Sequence, residues 1–226
     1  MPRRALYEKR PLLLLSIVAA AAFFYLRDAN IPEIAAIAVK GGAVGLLALY
    51  AFLRHSSPDA KLLGWVFGLC AMGDVAMEYD FQIGGLLFFL AHVFAIALYA
   101  RHRRQQLTPS QKATVVVLLL LTPVIAYALP ADRASAMGIG LYGLALGGMA
   151  ASAWASSFPR YRVGAGAVLF VASDLLIFAS MGPLADSRIP HVFIWPTYYL
   201  GQFLICTGVL QTLRKRDPEL KIVINN

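Results

Sequence analysis

Long apolar segments separated by short polar connections run along the whole chain. Each segment has 16 to 23 residues, close to the ~20 that cross about 30 Å of hydrocarbon as a helix. Backbone groups in lipid must bond within their own segment, and the alternating pattern of a membrane barrel is missing, so helices are expected. The pattern predicts an all-α membrane bundle of eight transmembrane helices in one integral membrane domain, residues 1–226. The segments are residues 11–26, 31–53, 62–77, 81–100, 113–129, 134–156, 163–181 and 192–213.

The basic residues of the connections fall mostly on one side of this arrangement. Counted on alternate sides, 16 Lys and Arg lie on the side of the N-terminus, and three, Arg27, Arg133 and Arg188, lie on the other. Cytoplasmic loops carry such an excess, so both termini are expected in the cytoplasm. The first segment could instead be a cleaved signal peptide, because basic residues precede it. Its span length and the unbroken loop pattern favour a membrane helix.

Composition agrees with a protein embedded in lipid. The chain is 59% hydrophobic and 14% charged, with a mean hydropathy of +0.67. A net charge of +8 could suggest nucleic acid as a partner, but the basic residues sit in short loops and report topology. We therefore expect membrane lipid, and no nucleic acid, as a partner.

Five ionisable residues lie inside or at the edge of apolar segments. They are Lys40, Asp74, Glu78, His92 and Asp174. Charged groups in a membrane are costly, face a polar interior and often mark function. From the helix rise, Asp174 and His92 lie about 16 Å from the start of their segments, near the midplane, with Lys40 similar. Asp74 and Glu78 lie nearer the non-cytoplasmic boundary on one helix face, so the set outlines a pocket between these levels.

Each of these residues also has a structural interpretation. Two interpretations stay open for Lys40: it neutralises Asp74 or Asp174 in an ion pair, or it binds substrate. The structural interpretation of His92 is an interior histidine with satisfied hydrogen bonds, and that of Glu78 is a solvated interface residue. Asp174 has the strongest functional claim, because only Ser173 adjoins it as a polar neighbour.

Other polar side chains could line the same cavity. Tyr142, Tyr198, Tyr199 and Gln202 lie in the sixth and eighth segments, although tyrosines near helix ends often belong to the interfacial belt. A zinc hydrolase would need several deep histidines, and Cys70 and Cys206 have no ligand spacing. A nucleophile elbow and a phosphate-binding glycine loop are both missing. We expect neither a metal nor a cofactor.

Four short motifs follow one another along the chain. They are Gly73-Asp74, Gly84-x-x-x-Phe88-x-x-x-His92, Phe170-x-x-Ser173-Asp174 and Tyr198-Tyr199-x-x-Gln202. Taken together and in this order, the motifs resemble the YhhN family. The resemblance covers most of the chain, including helix number and order; one departure is Gly41 after Lys40, where the family typically has proline.

The resemblance implies a membrane hydrolase of the lysoplasmalogenase type, which cleaves the vinyl ether of alkenyl-glycerophosphocholine or -ethanolamine to a fatty aldehyde and a glycerophospho-alcohol. Its substrate is a lysophospholipid, and the expected location is the bacterial inner membrane. Vinyl ether hydrolysis needs an acid and an anion: a carboxyl buried away from water can hold a proton, while a better solvated one stays ionised. Asp74 and Asp174 fit these roles in either order, with Lys40 or His92 assisting.

Two other functions are compatible with the same residues. A small-molecule or proton-coupled transporter also uses deep Asp, His and Lys side chains as proton relays. A binding or scaffold protein would keep the deep charges as paired structure.

Overall fold

The computed structural model describes residues 10–216, and this part of the chain consists of helices joined by short connections. Eight α-helices follow one another there, with a short π-helical turn, Arg160–Gly164, leading into the seventh. The helices are α1 (Arg10–Leu26), α2 (Glu33–Arg54), α3 (Pro58–Ala76), α4 (Phe81–Arg101), α5 (Pro109–Ala128), α6 (Arg133–Ala155), α7 (Ala165–Ser180) and α8 (Arg188–Arg216). The all-α class and the order of eight helices are confirmed.

Polar side chains before the first turn set where four of these helices begin. Ser57, Asp80, Thr108 and Asp132 each accept a hydrogen bond from a backbone N–H of the following turn. Such caps satisfy N–H groups that have no partner within the helix. The bonds from the N–H groups of Ala134 and its neighbour hold the pKa of Asp132 below its usual value. Because caps precede the apolar residues, α3 and α5 start four residues earlier than the apolar pattern alone predicts.

Contacts between connections show that the helices alternate in direction. At one end, His102 Nε2 lies 2.6 Å from Asp59 Oδ2, and Arg216 donates to Ser157. At the other end, the N–H of Ala131 donates to the carbonyl of Met181 at 3.0 Å. We call the first the basic end, because it carries the Lys- and Arg-rich loops, and the second the opposite end. Each helix therefore runs from one end to the other.

Six helices in the described part of the chain are long and apolar enough to cross a membrane: α2, α4, α5, α6, α8, and α7 with its π-helical turn. Helix α1 is apolar but has 17 described residues. Helix α3 has 19 residues and carries Asp59, Lys61 and Asp74. The protein is thus a multi-pass integral membrane protein. Eight complete spans and cytoplasmic termini remain predictions, and the termini lie outside the described residues.

The outer surface of the bundle is apolar. On α5 only Thr122 and Ala126 are buried, whereas Val116, Leu120 and Val124 are more than half exposed. A continuous exposed apolar surface of this kind is unfavourable in water and suits contact with lipid tails. The burial pattern therefore supports the membrane assignment independently of helix length.

Glycines let α7 and α8 approach closely. A Cβ on Gly166 would lie 2.7 Å from the carbonyl oxygen of Gly201, and a Cβ on Gly201 would meet the Gly166 carbonyl at the same distance. Small residues at such crossings let membrane helices pack backbone to backbone. This contact fixes the relative placement of Asp174 on α7 and Tyr198 on α8.

Candidate functional site

A cavity of about 630 Å³ lies in the half of the bundle nearer the opposite end. Its walls come from α2, the end of α3, the first halves of α4 and α6, the end of α7 and the start of α8. Most of the lining is apolar and includes Phe88, Ile139, Phe178 and Trp195. The polar side chains that line it are Lys40, Asp74, Gln82, Ser135, Tyr142, Ser173, Asp174 and Tyr198. The sequence-based expectation of a shared pocket is therefore met for both aspartates.

Asp174 is buried on α7 and is held by two hydroxyl groups. Tyr142 donates from its hydroxyl to Asp174 Oδ2 at 2.6 Å, and Ser173 Oγ lies 3.2 Å from Asp174 Oδ1. Ser173 also contacts the carbonyl of Phe170 at the shorter distance of 2.7 Å. Since a serine hydroxyl has one proton, its donation to the Phe170 carbonyl leaves Oγ able to accept a hydrogen bond from a proton carried on Asp174 Oδ1. The surroundings of Asp174 thus suit a protonated carboxyl.

His92 reaches the cavity through Tyr142. Its Nε2 lies 3.0 Å from the Tyr142 hydroxyl, and its ring packs edge to face against Phe170 at 5.0 Å. Because Tyr142 gives its single proton to Asp174, the hydrogen-bonded Nε2 of His92 must be the N–H of the ring. His92, Tyr142 and Asp174 form a chain of donors that ends on the carboxyl group.

Asp74 forms a second tyrosine–aspartate pair. It lies near the end of α3 with 3% of its surface exposed, and the hydroxyl of Tyr198 donates to its Oδ2 at 2.8 Å. The Tyr198 ring packs against Phe170 at 5.2 Å, and Phe170 also contacts His92. One aromatic cluster therefore joins the two pairs, and both pairs line the same cavity.

Lys40 does not pair with either aspartate, contrary to one of the two interpretations of the sequence. Its Nζ lies 2.5 Å from Glu78 Oε1. Glu78 belongs to the turn after α3, which ends at Ala76, so it does not share a helix face with Asp74 as expected from spacing. Lys40 lies seven residues from the start of α2, about 10 Å by helix rise, and its long side chain extends to the boundary. Lys40 lines the cavity, and Glu78 holds it near the mouth.

Besides Glu78 and His92, which adjoin the cavity without lining it, two further residues expected there lie elsewhere. The hydroxyl of Tyr199 lies 2.7 Å from Ser16 Oγ on α1, so Tyr199 packs between helices instead of facing the cavity. Because Ser16 donates its own proton to the Ala43 carbonyl, Tyr199 is the donor. Gln202 lies one turn beyond Tyr198, is 1% exposed, and its Nε2 has no hydrogen-bond partner among residues 10–216. Neither belongs to the cavity lining. On a helix as buried as α8, sequence spacing alone does not distinguish the face toward the cavity from the face toward α1.

Three residues line the cavity that were not expected from the sequence: Gln82, Ser135 and Trp195. Gln82 and Ser135 occupy the first turns of α4 and α6, where polar residues usually face solvent. Trp195 donates its Nε1 proton to the carbonyl of Ala20 at 2.9 Å, which fixes its ring on the cavity wall. Only the convergence of α4, α6 and α8 at this level reveals these three.

The site combines two carboxyl groups with hydroxyl donors, one cation and a large apolar space. Within residues 10–216, no three His, Cys, Asp or Glu side chains come together in a way that could hold a metal ion. The arrangement can carry out proton transfer on an amphiphilic molecule whose chain lies against the apolar walls. That no metal is needed stays a prediction.

One comparison with known proteins identifies the chain. The model of the YhhN family matches residues 35–209, which include Lys40, both aspartates, both tyrosines and His92. No curated protein and no solved structure matches the chain. Because the match covers well over half of the sequence, the chain belongs to the YhhN family.

Proposed function

We propose that the protein hydrolyses the vinyl ether bond of a lysoplasmalogen, releasing a fatty aldehyde and a glycerophospho-alcohol. The observation that carries the proposal is the presence of two tyrosine–aspartate pairs, Tyr142–Asp174 and Tyr198–Asp74, on one apolar-lined cavity. Two carboxyl groups in different surroundings are what acid catalysis with charge stabilisation requires.

The shape of the cavity suits a lipid with one chain. Leu86 on α4 and Leu141 on α6 both line it, yet they are 59% and 61% exposed. Since α4 and α6 both begin at the opposite end, the gap between their first halves opens to the side of the bundle, where lipid lies. The alkenyl chain can extend through this gap. The headgroup then points toward Lys40, the one basic side chain among the described residues that line the cavity.

The reaction begins at carbon. A proton goes to the vinyl carbon that does not carry oxygen, and the electrons of the double bond leave an oxocarbenium ion. Water adds to the carbon next to the oxygen and loses a proton, which gives a hemiacetal. The hemiacetal hydroxyl then loses its proton as the bond to the glycerol oxygen breaks, and the glycerol oxygen takes up a proton. One water molecule is consumed overall, and the acid recovers its proton from the solvent. The catalyst must supply the first proton and stabilise the cation.

We assign the acid to Asp174 and the anion to Asp74. Asp174 can place its proton on Oδ1 beside Ser173, and no described cation interacts with it. Asp74 accepts a hydrogen bond from the hydroxyl of Tyr198, an arrangement that suits a carboxylate. Ionised Asp74 then stabilises the oxocarbenium ion and takes the proton from the attacking water.

Tyr142 and His92 are positioning residues in this scheme. The hydroxyl of Tyr142 holds Oδ2 of Asp174, which leaves Oδ1, the oxygen beside Ser173, to carry the proton that is delivered. His92 in turn fixes the hydroxyl, because its N–H can only be satisfied by the tyrosine oxygen in this geometry. Such orientation matters, since catalytic groups must be held close to the productive geometry.

The test is the release of fatty aldehyde from a lysoplasmalogen by purified protein in detergent. Wild-type protein should release aldehyde, and Asp174→Asn and Asp74→Asn should each lose about 10²- to 10⁴-fold in rate, the usual worth of general acid catalysis. Asp132→Asn, which keeps its capping function outside the cavity, should retain activity.

The same experiment separates hydrolysis from transport. Aldehyde release needs no second compartment, whereas transport does. If wild-type protein released no aldehyde, while the two substitutions abolished solute uptake in vesicles, the protein would be a transporter. Well-folded Asn variants with near wild-type aldehyde release would overturn the two-carboxylate mechanism.

A further inference from the structure

A second pocket lies at the opposite end, between the end of α1 and the start of α8. Its volume is about 580 Å³. It shares no lining residue with the larger cavity. The residues that line it are Phe24, Tyr25, Arg27, Asp28, Arg188, His191 and Val192.

The pocket collects basic residues where the chain has few. Outside the cavity, the opposite end carries Arg27, Arg133 and Arg188 against the 16 basic residues assigned to the other side. Arg133 is used structurally, because its Nη1 donates to the carbonyls of Tyr127 and Pro130. The other two both line this pocket. On a side where loops are usually poor in Lys and Arg, two guanidinium groups in one pocket need a reason beyond topology.

The hydrogen bonds leave both guanidinium groups able to bind an anion. Arg27 Nη2 lies 3.5 Å from His191 Nδ1, and His191 Nε2 lies 3.0 Å from Asp28 Oδ1. A neutral His191 satisfies both contacts, accepting at Nδ1 and donating from Nε2. The buried Nε of Arg27 has no hydrogen-bond partner among residues 10–216, and Asp28 Oδ2 is 3.7 Å from it. The side chain of Arg188 has neither a hydrogen bond nor an ion pair within that range.

The edge of the pocket is apolar and exposed. Tyr25 is 77% exposed and Val192 is 40% exposed, and the Phe24 ring packs under the Arg27 guanidinium at 4.5 Å. Helix ends with aromatic side chains lie at the level of lipid headgroups. An anion that reaches this pocket together with an apolar chain would contact both the arginines and the exposed rim.

We propose that Arg27 and Arg188 bind the phosphate group of a glycerophospholipid headgroup at this pocket. Arginine recognises phosphate through charge-assisted, often bidentate, hydrogen bonds. Two guanidinium groups face one carboxylate, so the pocket keeps a net positive charge. The site is separate from the proposed hydrolytic cavity and does not depend on the hydrolysis proposed there.

The test uses the purified full chain in nonionic detergent. Phosphatidylglycerol, diacylglycerol with the same chains, and inorganic phosphate are titrated in turn, and bound molecules are counted by native mass spectrometry. Phosphatidylglycerol should bind saturably, and diacylglycerol should not. Arg188→Gln should weaken binding about tenfold, the size expected for one charged hydrogen bond. The double variant, Arg27→Gln together with Arg188→Gln, should retain only non-specific lipid binding.

Arg133→Gln is the matched control, because it removes a basic residue from the same end but from outside the pocket. It should bind phosphatidylglycerol like wild type. The side chain of Arg188 has no described partner, so its substitution tests binding without disturbing the fold. Unchanged phosphatidylglycerol binding by both Arg188→Gln and the double variant would overturn the proposal. If inorganic phosphate occupied the pocket equally at the same concentration, the ligand would be free phosphate and the proposed lipid ligand would be wrong. Loss of aldehyde release has no bearing on either result.

Discussion

A larger side chain at the position of Gly138 would fill part of the cavity without disturbing the helix bundle. Gly138 lies on α6, lines the cavity, and an added Cβ there would meet no atom within 4 Å. Gly138→Leu places four carbon atoms in the gap through which the alkenyl chain is proposed to extend. Each substrate methylene that loses burial costs about 0.8 kcal/mol, so four cost about 3 kcal/mol, or more than a hundredfold in kcat/KM for a long-chain substrate.

The assay compares kcat/KM for long-chain and short-chain alkenyl substrates. A chain too short to reach the gap should be hydrolysed nearly normally, so the preference for long chains should fall by about the same hundredfold. Folding should not suffer, since glycine within a helix is less favourable than alanine by about 0.5–1 kcal/mol. Gly85→Leu on the facing helix α4 should act in the same way, because Gly85 also lines the cavity with open space around an added Cβ.

The control is Gly68→Leu on α3. Gly68 also has no atom within 4 Å of an added Cβ, but it does not line the cavity. This variant should keep the wild-type preference. Unchanged kcat/KM for long chains in both Gly138→Leu and Gly85→Leu would refute the placement of the chain between α4 and α6.

Three further predictions concern the positioning residues, the mouth of the cavity and the topology. Tyr142→Phe should lower kcat about tenfold with little change in KM, because one hydrogen bond that orients the acid is lost. A change in KM alone, measured by steady-state kinetics, would contradict the positioning role of Tyr142. Lys40→Met should raise KM about tenfold with kcat nearly unchanged if Lys40 faces the substrate phosphate, whereas a fall in kcat alone would place Lys40 in the chemistry. Reporter fusions in the connections at residues 55–57 and 102–108 should read cytoplasmic, and those at residues 77–80 and 129–132 non-cytoplasmic; the reverse pattern would overturn the orientation.

The sequence was sufficient for the helices because lipid imposes a simple rule on the chain. An apolar run of about 20 residues must be helical, and eight such runs gave eight helices in the right order. The predicted ends of the helices were less accurate than their number and order. Caps such as Ser57 and Thr108 lie outside the apolar runs, and α8 extends to Arg188 and Arg216 through polar turns.

For the site, the sequence located the carboxyl groups but not their partners. A buried aspartate is visible as a charge in an apolar run, so Asp74 and Asp174 could be found. The hydroxyl that holds each one comes from another helix, Tyr198 for Asp74 and Tyr142 for Asp174, and that pairing depends on helix packing. The partner of Lys40 was missed for a related reason, since Glu78 lies in a turn whose direction the helical spacing does not predict.

Protonation at carbon is the central claim, and hydrolysis in D₂O tests it most directly. The proton that Asp174 delivers exchanges with solvent between turnovers, so the aldehyde should carry one deuterium on the carbon next to its carbonyl group. The aldehyde is trapped as a hydrazone and analysed by mass spectrometry, which prevents later exchange from adding a second. We predict one deuterium per aldehyde for the wild-type protein, and the loss of this labelled product in Asp174→Asn. Aldehyde without deuterium would show that the double bond is not protonated, and it would contradict the mechanism.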